Sequence, residues 1–211
     1  MTDTAARHPS TYVPSPIINA LIRDRDRPIV EMAGGKAWTG GEMLAATSRL
    51  TQALQARGVV NGARVALLAG NSVEVLLLHN AIAFAGGCLV AMHPMGSADD
   101  HLFAIEDAGV EVLLYDPAKF SKRAGELSAR TNRLKTVLSL GAGDVGDDLL
   151  ALADSFDLAP LTAPVLDPGP VTRLSYSGGT TGKPKAIPGN PRTGAAALQI
   201  MMSEWEWPIE P

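Results

Sequence analysis

One segment near the end of the 211-residue sequence combines residue types that can bind a polyphosphate: Ser177-Gly-Gly-Thr-Thr-Gly-Lys-Pro-Lys185. Its glycines let the backbone turn sharply and bring N–H groups close to a ligand, because no Cβ stands in the way. Hydroxyls and lysine ammonium groups add donors and positive charge, and successive main-chain amides form concave anion sites. A solvent-exposed turn has a similar composition, so the loop by itself leaves both interpretations open.

The spacing within this loop excludes two common nucleotide-binding loops. A Walker A loop needs Gly, four residues, then Gly-Lys-Ser/Thr. This chain has Ser177 where the first glycine belongs and Pro184 where the hydroxyl residue belongs. The dinucleotide fingerprint Gly-x-Gly-x-x-Gly fails as well, because Gly178 and Gly179 are adjacent. Any phosphate bound here is therefore bound by a loop of another class.

The upstream chain alternates short apolar runs with helical patterns, which indicates parallel strands joined by crossover helices. A first βαβ unit comprises a buried strand over 64–69, a helix that runs from the Asn71-Ser72 capping pair to Ala85, and a strand over 88–92. The other predicted helices are one opened at Thr39 and ended by Gly58, one from Ser97 to Gly109, one between 118 and 130, a short one over 148–153, and one from about 193 to 204. The other predicted strands cover 110–115, 136–140 and 171–176.

This series predicts an α/β fold, a parallel βαβ sheet layered with helices. We expect residues 1–140 to form a βαβ subdomain. Residues 141–170 are rich in Gly, Asp and Pro and read as a connecting excursion within the same domain. Residues 171–211 then supply a strand, the phosphate loop and the following helix.

Composition excludes several function classes. With 18 Lys and Arg against 22 Asp and Glu, the formal net charge is −4, whereas nucleic-acid binding relies on a basic surface. Cys88 is the only cysteine, so neither a disulfide within the chain nor a cysteine-based zinc cluster can form; we expect a cytoplasmic protein. The N-terminus lacks a signal-peptide pattern, and the apolar run over 81–92 is shorter than the ~20 residues of a membrane span.

Other chemistry-bearing residues favour structural roles. His79 and His101 have no second His, Cys or carboxylate at ligand spacing, so no metal site is predicted. The pairs Asp99-Asp100 and Asp147-Asp148 point to different helix faces, which favours capping and surface charge over acid–base catalysis. Cys88 lies in an apolar strand and is expected to pack there, because a nucleophilic thiolate needs basic neighbours.

The loop resembles the phosphate-loop signature of the adenylate-forming superfamily, which includes acyl-CoA synthetases, aryl-acid adenylating enzymes, nonribosomal peptide adenylation domains and luciferases. That signature is a small-residue pair, Gly, two Ser or Thr, Gly, any residue, Pro and Lys, and residues 177–185 fill these places in order. Thr39-Gly-Gly-Glu-Met resembles the family's early helix-opening motif, and His93-Pro-Met-Gly-Ser resembles a loop of fatty-acyl ligases. The resemblance spans the chain from about Pro28 to its last residue.

The resemblance implies the first part of the large N-terminal domain of an acyl-CoA synthetase or fatty-acyl-CoA ligase. Such enzymes convert a carboxylate and ATP to acyl-AMP and pyrophosphate, then transfer the acyl group to the thiol of CoA or of carrier-protein pantetheine. The implied cofactors are ATP, Mg²⁺ and CoA (or that pantetheine). The implied partners are a fatty or other hydrophobic carboxylic acid and CoA or an acyl carrier protein.

The resemblance also implies roles within the loop. The predicted nucleotide-binding residues are Ser177, Gly178, Gly179, Thr180, Thr181, Gly182 and Lys185. The resemblance implies that Thr180, Thr181 and Gly182 contact the phosphates. Lys185 adds charge, and Ser177 shapes the mouth of the loop.

The sequence also departs from the family pattern. Lys183 occupies a freely varied position and is expected to be solvated, and Ala186 stands where glycine commonly follows the motif lysine. Family members are more than twice as long, so we expect the adenine pocket and the C-terminal lid domain, with its catalytic lysine, to be absent from these residues. No catalytic residue or protein metal ligand is predicted here, and activity would require that C-terminal portion as a partner. The alternative is a non-catalytic folded fragment that serves as a binding or assembly module.

Overall fold

The structure is a computed structural model that describes residues 14–33, 35–162, 171–177 and 184–204. Its helices are α1 (Pro14–Arg23), α2 (Gly40–Ala56), α3 (Val73–Phe84), α4 (Ala98–Ala108), α5 (Pro117–Arg130), α6 (Leu149–Asp154) and α7 (Pro191–Glu204). Its strands are β1 (Pro28–Glu31), β2 (Ala37–Thr39), β3 (Arg64–Leu68), β4 (Cys88–Ala91), β5 (Val112–Tyr115), β6 (Thr136–Ser139), β7 (Asp147–Asp148), β8 (Arg173–Ser177) and β9 (Lys185–Gly189).

The main sheet has the strand order β7-β6-β5-β3-β4-β8-β9, and β1 and β2 form a separate antiparallel hairpin. All neighbouring strands of the main sheet are parallel except β8 and β9. The central strand β3 is a continuous apolar run because helices cover both of its faces. The predicted α/β fold with a layered parallel βαβ sheet is therefore confirmed.

Side chains on the two faces of the sheet belong to two separate cores. On β3, Val65 and Leu67 belong to a core that also contains residues of α1, α2, α3 and α6. Ala66 and Leu68 belong to the opposite core, together with Ile105 of α4 and Leu127 of α5. This alternation follows from the two-residue period of a strand, and it produces three layers, with helices on both sides of the sheet.

The helices begin and end where the sequence places their capping residues. Thr39 and Glu42 form a reciprocal capping box at the start of α2, and Ser97 and Asp100 form another at the start of α4. Gly109 ends α4 in the left-handed conformation, at φ 65°, which costs glycine less than other residues. These boundaries confirm the local predictions.

Several elements differ from the sequence prediction. α1 and the β1–β2 hairpin were not predicted, and the short strand β7 lies within the segment expected to be a connecting excursion. The most consequential difference is β9, because we expected Lys185 to belong to a loop that led directly to a helix. Instead Lys185 begins a strand antiparallel to β8. Pro188 and Gly189 disfavour strand structure locally, so β9 depends on β8 as its template.

Among the residues that the structure describes, the helices are too short or too polar for any of them to cross a lipid bilayer. The division of the chain at residues 140 and 170 remains a prediction. Within the middle segment, α6 packs against α2, and Leu149 is fully buried in the core.

Candidate functional site

Two described residues mark the ends of the predicted phosphate loop. Ser177 is the last residue of β8, Lys185 is the first residue of β9, and the two are opposite each other in the antiparallel ladder. Lys185 is exposed to solvent. The other predicted nucleotide-binding residues lie outside the described residues: Gly178, Gly179, Thr180, Thr181 and Gly182. Their roles therefore remain predictions, while the stem that presents them is known.

The stem lies at the carboxyl edge of the parallel sheet. Ser175 of β8 pairs with Ala91, the last residue of β4, and Ala91 pairs with Leu67 near the end of β3. The chain passes from β3 to β4 on one side and then crosses to β5 on the other side of β3. Ligands of open α/β sheets bind outside the carboxyl ends of the strands at such a change of direction. The loop that leaves Ser177 therefore starts at the edge where this fold class binds ligands.

Helix N-termini reach the same edge, because each crossover helix begins where its preceding strand ends. Ser72 caps α3, Ser97 caps α4, and Asp116 caps α5. The N-terminal ends of helices carry partial positive charge. Lys119, in the first turn of α5, adds a full charge beside the loop after β3, since a Cβ built on Gly70 would lie 3.1 Å from its Nζ. These positive groups lie at the same edge as the carboxylates of the first helical turns and caps: Glu74, Asp99, Asp100 and Asp116.

Tyr176, the residue before Ser177, anchors β8 to α4. Its hydroxyl donates a 2.7 Å hydrogen bond to the Asp107 carboxylate, and its ring meets Phe103 edge to face at 6.2 Å. Burial, with the Asp107 carboxylate as a second cause, raises the pKa of Tyr176 well above its usual 10. The phenol therefore stays neutral at physiological pH and fixes the strand from which the loop departs.

His101, considered above as a metal ligand, has a different environment. It is buried at 3% exposure, with Nε2 2.8 Å from the His93 carbonyl oxygen and Nδ1 3.0 Å from Nη1 of Arg123. No group of three or more His, Cys, Asp or Glu within the described ranges could hold a metal ion. The contact with Arg123 was not predicted; the one signal in the sequence is that His101 lies on the apolar face of α4 that includes Ala104 and Ile105.

The remaining candidates have the structural roles that their sequence contexts favoured. Asp100 caps α4, and Asp99 forms an ion pair with Arg130 at 2.6 Å. Asp148 caps α6. Cys88 is buried, and burial raises the pKa of its thiol. A raised thiol pKa disfavours the nucleophilic thiolate, so packing is its role.

Comparison with known proteins identifies a family over most of the chain. Residues 19–207 match the family model described as AMP-binding enzyme. The chain is 36% identical over 201 residues to a medium/long-chain-fatty-acid–CoA ligase of Mycobacterium tuberculosis, covering 92% of this chain and 35% of that protein. It is 30% identical over 148 residues to a 3-hydroxybenzoate–CoA/4-hydroxybenzoate–CoA ligase of Thauera aromatica, covering 69% of this chain and 28% of that protein.

The fold agrees with a solved structure. An amide bond synthetase from Marinactinospora thermotolerans superposes with a TM-score of 0.75 at 25% identity, covering 88% of this chain and 36% of that one. The chain thus spans about a third of the length of the curated relatives it matches.

Proposed function

The chain belongs to the AMP-binding enzyme family, and from that premise we propose that it contributes the phosphate-binding loop of an ATP-dependent acid–thiol ligase. The observation that carries the proposal is the position of Ser177 and Lys185, which face each other at the carboxyl edge of the sheet. A loop of glycines and threonines that leaves this edge has the donors to bind the β- and γ-phosphates of ATP.

The proposed reaction begins with attack of a carboxylate oxygen on the α-phosphorus of ATP. The bond from that phosphorus to the bridging α–β oxygen breaks, and pyrophosphate leaves with the electron pair. Amides of residues 178–182, the hydroxyls of Thr180 and Thr181 and the ammonium of Lys185 would stabilise this departing charge. In the second step a thiol attacks the acyl carbon, AMP leaves, and a thioester forms.

Mg²⁺ is proposed to enter as the counter-ion of ATP. The described residues offer no carboxylate and histidine cluster for a resident metal, so none of them is assigned to Mg²⁺.

The acid is proposed to be fatty or otherwise hydrophobic, and the acceptor CoA or the pantetheine of a carrier protein. Support comes from the relatives, whose names specify fatty-acid and hydroxybenzoate CoA ligases. We further propose that residues 1–140 and 171–211 act as the βαβ and loop-bearing parts of one larger domain. A C-terminal lid would complete the site, and the reducing cytoplasm would be its compartment.

Pyrophosphate–ATP exchange tests this function on the protein complete with any sequence that adjoins residues 1–211. Thr181→Ala and Lys185→Ala should each lower the exchange rate by about tenfold or more, because the first removes a hydrogen-bond donor to the leaving pyrophosphate and the second removes a positive charge beside it. Thr181→Ser keeps the hydroxyl and should retain most of the rate. Lys183→Ala is the matched control and should exchange like the wild type.

If Thr181→Ala and Lys185→Ala both exchange at the wild-type rate, the assignment of the loop is wrong. If the wild-type protein exchanges no pyrophosphate with any acid offered, the non-catalytic binding module becomes the better interpretation.

A further inference from the structure

The loop between β4 and α4 is fixed at both ends by side chains from the helices packed beneath it. We refer to His93–Gly96 as the 93–96 loop. The carbonyl oxygen of His93 lies 2.8 Å from Nε2 of His101, and the carbonyl oxygen of Gly96 accepts a 3.0 Å hydrogen bond from Nη1 of Arg123. A local hydrogen bond from the Gly96 amide to the His93 carbonyl, at 2.9 Å, closes the turn.

The two neighbours of His101 determine its protonation state and tautomer. A carbonyl oxygen can only accept, so Nε2 of His101 must carry a proton and donate it to His93. An arginine has only donors, so Nδ1 must accept from Arg123, which lies 3.0 Å away. The arrangement therefore requires the neutral imidazole with its proton on Nε2, and it has no place for a second proton.

The packing around Gly96 leaves no room for a side chain between the 93–96 loop and His101 of α4. A Cβ built on Gly96 would lie 2.7 Å from Nε2 of His101 and 3.1 Å from the His93 carbonyl oxygen. In contrast, the outer side of the loop is open to solvent, with Met95 86% exposed. The loop is thus held from beneath by a buried pair and presents its other side at the carboxyl edge of the sheet.

We propose that His101 and Arg123 are positioning residues that hold the 93–96 loop in one conformation while His101 is neutral and release it when His101 takes up a proton. β4 is the direct neighbour of β8, so this loop leaves the sheet next to the stem that ends at Ser177. The inference rests on the proposed function only in that this edge is where the ligand would bind.

The groups around His101 favour a neutral imidazole on balance. Arg123 faces it from α5, His93 lies above it, and the neighbouring Asp100 is engaged by the amide and hydroxyl of Ser97. Burial is the largest cause and lowers the pKa of His101 from its usual 6.5; the hydrogen bond to the His93 carbonyl and the Asp100 carboxylate raise the pKa, Arg123 lowers it, and the net shift is downward. A proton arriving from solvent at Nδ1 would displace the hydrogen bond from Arg123 and place two cations side by side.

Glu126 provides a place for Arg123 after release. Nε of Arg123 already lies 3.5 Å from the Glu126 carboxylate, one helical turn further along α5. The guanidinium can therefore keep this ion pair while it loses its contacts with His101 and Gly96. Release of the loop then requires only a local movement of one side chain.

Amide hydrogen exchange on the 211-residue chain without any ligand tests this inference independently of the proposed function. The Gly96 amide is the reporter, because its hydrogen bond to His93 closes the turn. At neutral pH, His101→Leu and Arg123→Met should each lower the protection factor of Gly96 by about tenfold. His101→Gln keeps one donor and one acceptor and should stay within about twofold of the wild type. His79→Gln, at an exposed position on α3, is the matched control.

The pH dependence of amide exchange distinguishes a positioning role of His101 from a general contribution to stability. In the wild type, the protection factor of Gly96 should fall as pH drops from about 7.5 to about 5, while that of the core amide of Leu113 is retained. In His101→Gln, the protection factor of Gly96 should be independent of pH over this range. If Gly96 is equally protected in His101→Leu and in the wild type, or if its protection in His101→Gln falls with pH as in the wild type, the inference is overturned.

Nitrogen NMR of the imidazole keeps the test decisive if His101→Leu fails to fold. In the wild-type chain, ¹⁵N shifts should report a neutral ring protonated on Nε2 at neutral pH. A ring protonated on Nδ1, or doubly protonated at pH 7.5, contradicts the inference.

Discussion

Ser177 and Lys185 are cross-strand partners in the antiparallel ladder between β8 and β9. The segment 178–184 therefore departs from and returns to one point of the sheet. That point lies at the carboxyl edge, beside the end of β4. The predicted phosphate loop thus starts and ends on paired strands, which hold its two ends next to each other.

Two glycines with nearly equal positive φ angles separate the cost of backbone strain from the cost of steric overlap. Gly58 has φ 89° with open space around its missing Cβ, whereas a Cβ on Gly86, at φ 87°, would lie 2.1 Å from Oδ1 of Asn61 and 3.1 Å from its Cα. Gly58→Ala should lower the free energy of unfolding by about 1–2 kcal/mol from backbone strain alone.

Gly86→Ala adds steric overlap with the Asn61 backbone to the same strain and should lower the free energy of unfolding by about 3 kcal/mol or more. Urea unfolding of both variants measures the difference. Equal losses of unfolding free energy in the two variants would contradict this prediction, because they would show that the chain around Gly86 accommodates the added Cβ at no further cost.

The capping box at the start of α2 should make a measurable contribution to stability. Thr39→Ala removes the oxygen that accepts from the Glu42 amide and should lower the free energy of unfolding by about 1 kcal/mol. Thr39→Ser retains that oxygen and serves as the control. Thermal unfolding followed by circular dichroism provides the comparison, and an unchanged Thr39→Ala would mean that water replaces the cap at no cost.

Global stability should depend on pH through His101. Burial lowers the pKa of His101 in the folded chain below its usual 6.5, so the unfolded chain binds more protons between these two pKa values. The contribution of neutral His101 to the free energy of unfolding is fully present above about pH 6.5 and is lost as pH falls towards the pKa of His101 in the folded chain. Unfolding free energies of His101→Gln should therefore fall less between pH 7 and pH 5 than those of the wild type.

The control for that experiment is His79→Gln, because His79 lies at an exposed position on α3 and takes no part in the hydrogen bonds of His101. His79→Gln should retain the pH dependence of the wild type, and the double variant should behave like His101→Gln. Identical pH dependence in the wild type and His101→Gln would contradict the assignment of a neutral His101.

Local signals made much of the fold predictable. The capping residues Thr39, Ser97 and Gly109 stand within a turn of the helix ends that they determine. Strands such as β3 were recognisable because burial on both faces requires a continuous apolar run. These features depend on neighbours in sequence, so the sequence alone was enough to find them.

Features that depend on distant partners were not predictable. β9 contains Pro188 and Gly189 and forms a strand because β8 offers free backbone groups to pair with. The contact between His101 and Arg123 joins residues 22 positions apart on two helices. The apolar face of α4 indicates that His101 is buried, but it does not identify Arg123 as its partner. For the candidate site, the sequence predicted the chemistry of the loop, while the structure supplied the edge of the sheet from which it starts.

The central claim is that main-chain amides of residues 178–182 bind a polyphosphate. The most direct measurement is an amide ¹H–¹⁵N NMR titration of the 211-residue chain with magnesium pyrophosphate. We predict saturable shifts at Gly178, Gly179 and Gly182, several-fold weaker binding in Lys185→Ala, and unchanged binding in Lys183→Ala. Shifts confined to other amides, or equal weakening by the two lysine substitutions, would contradict the account.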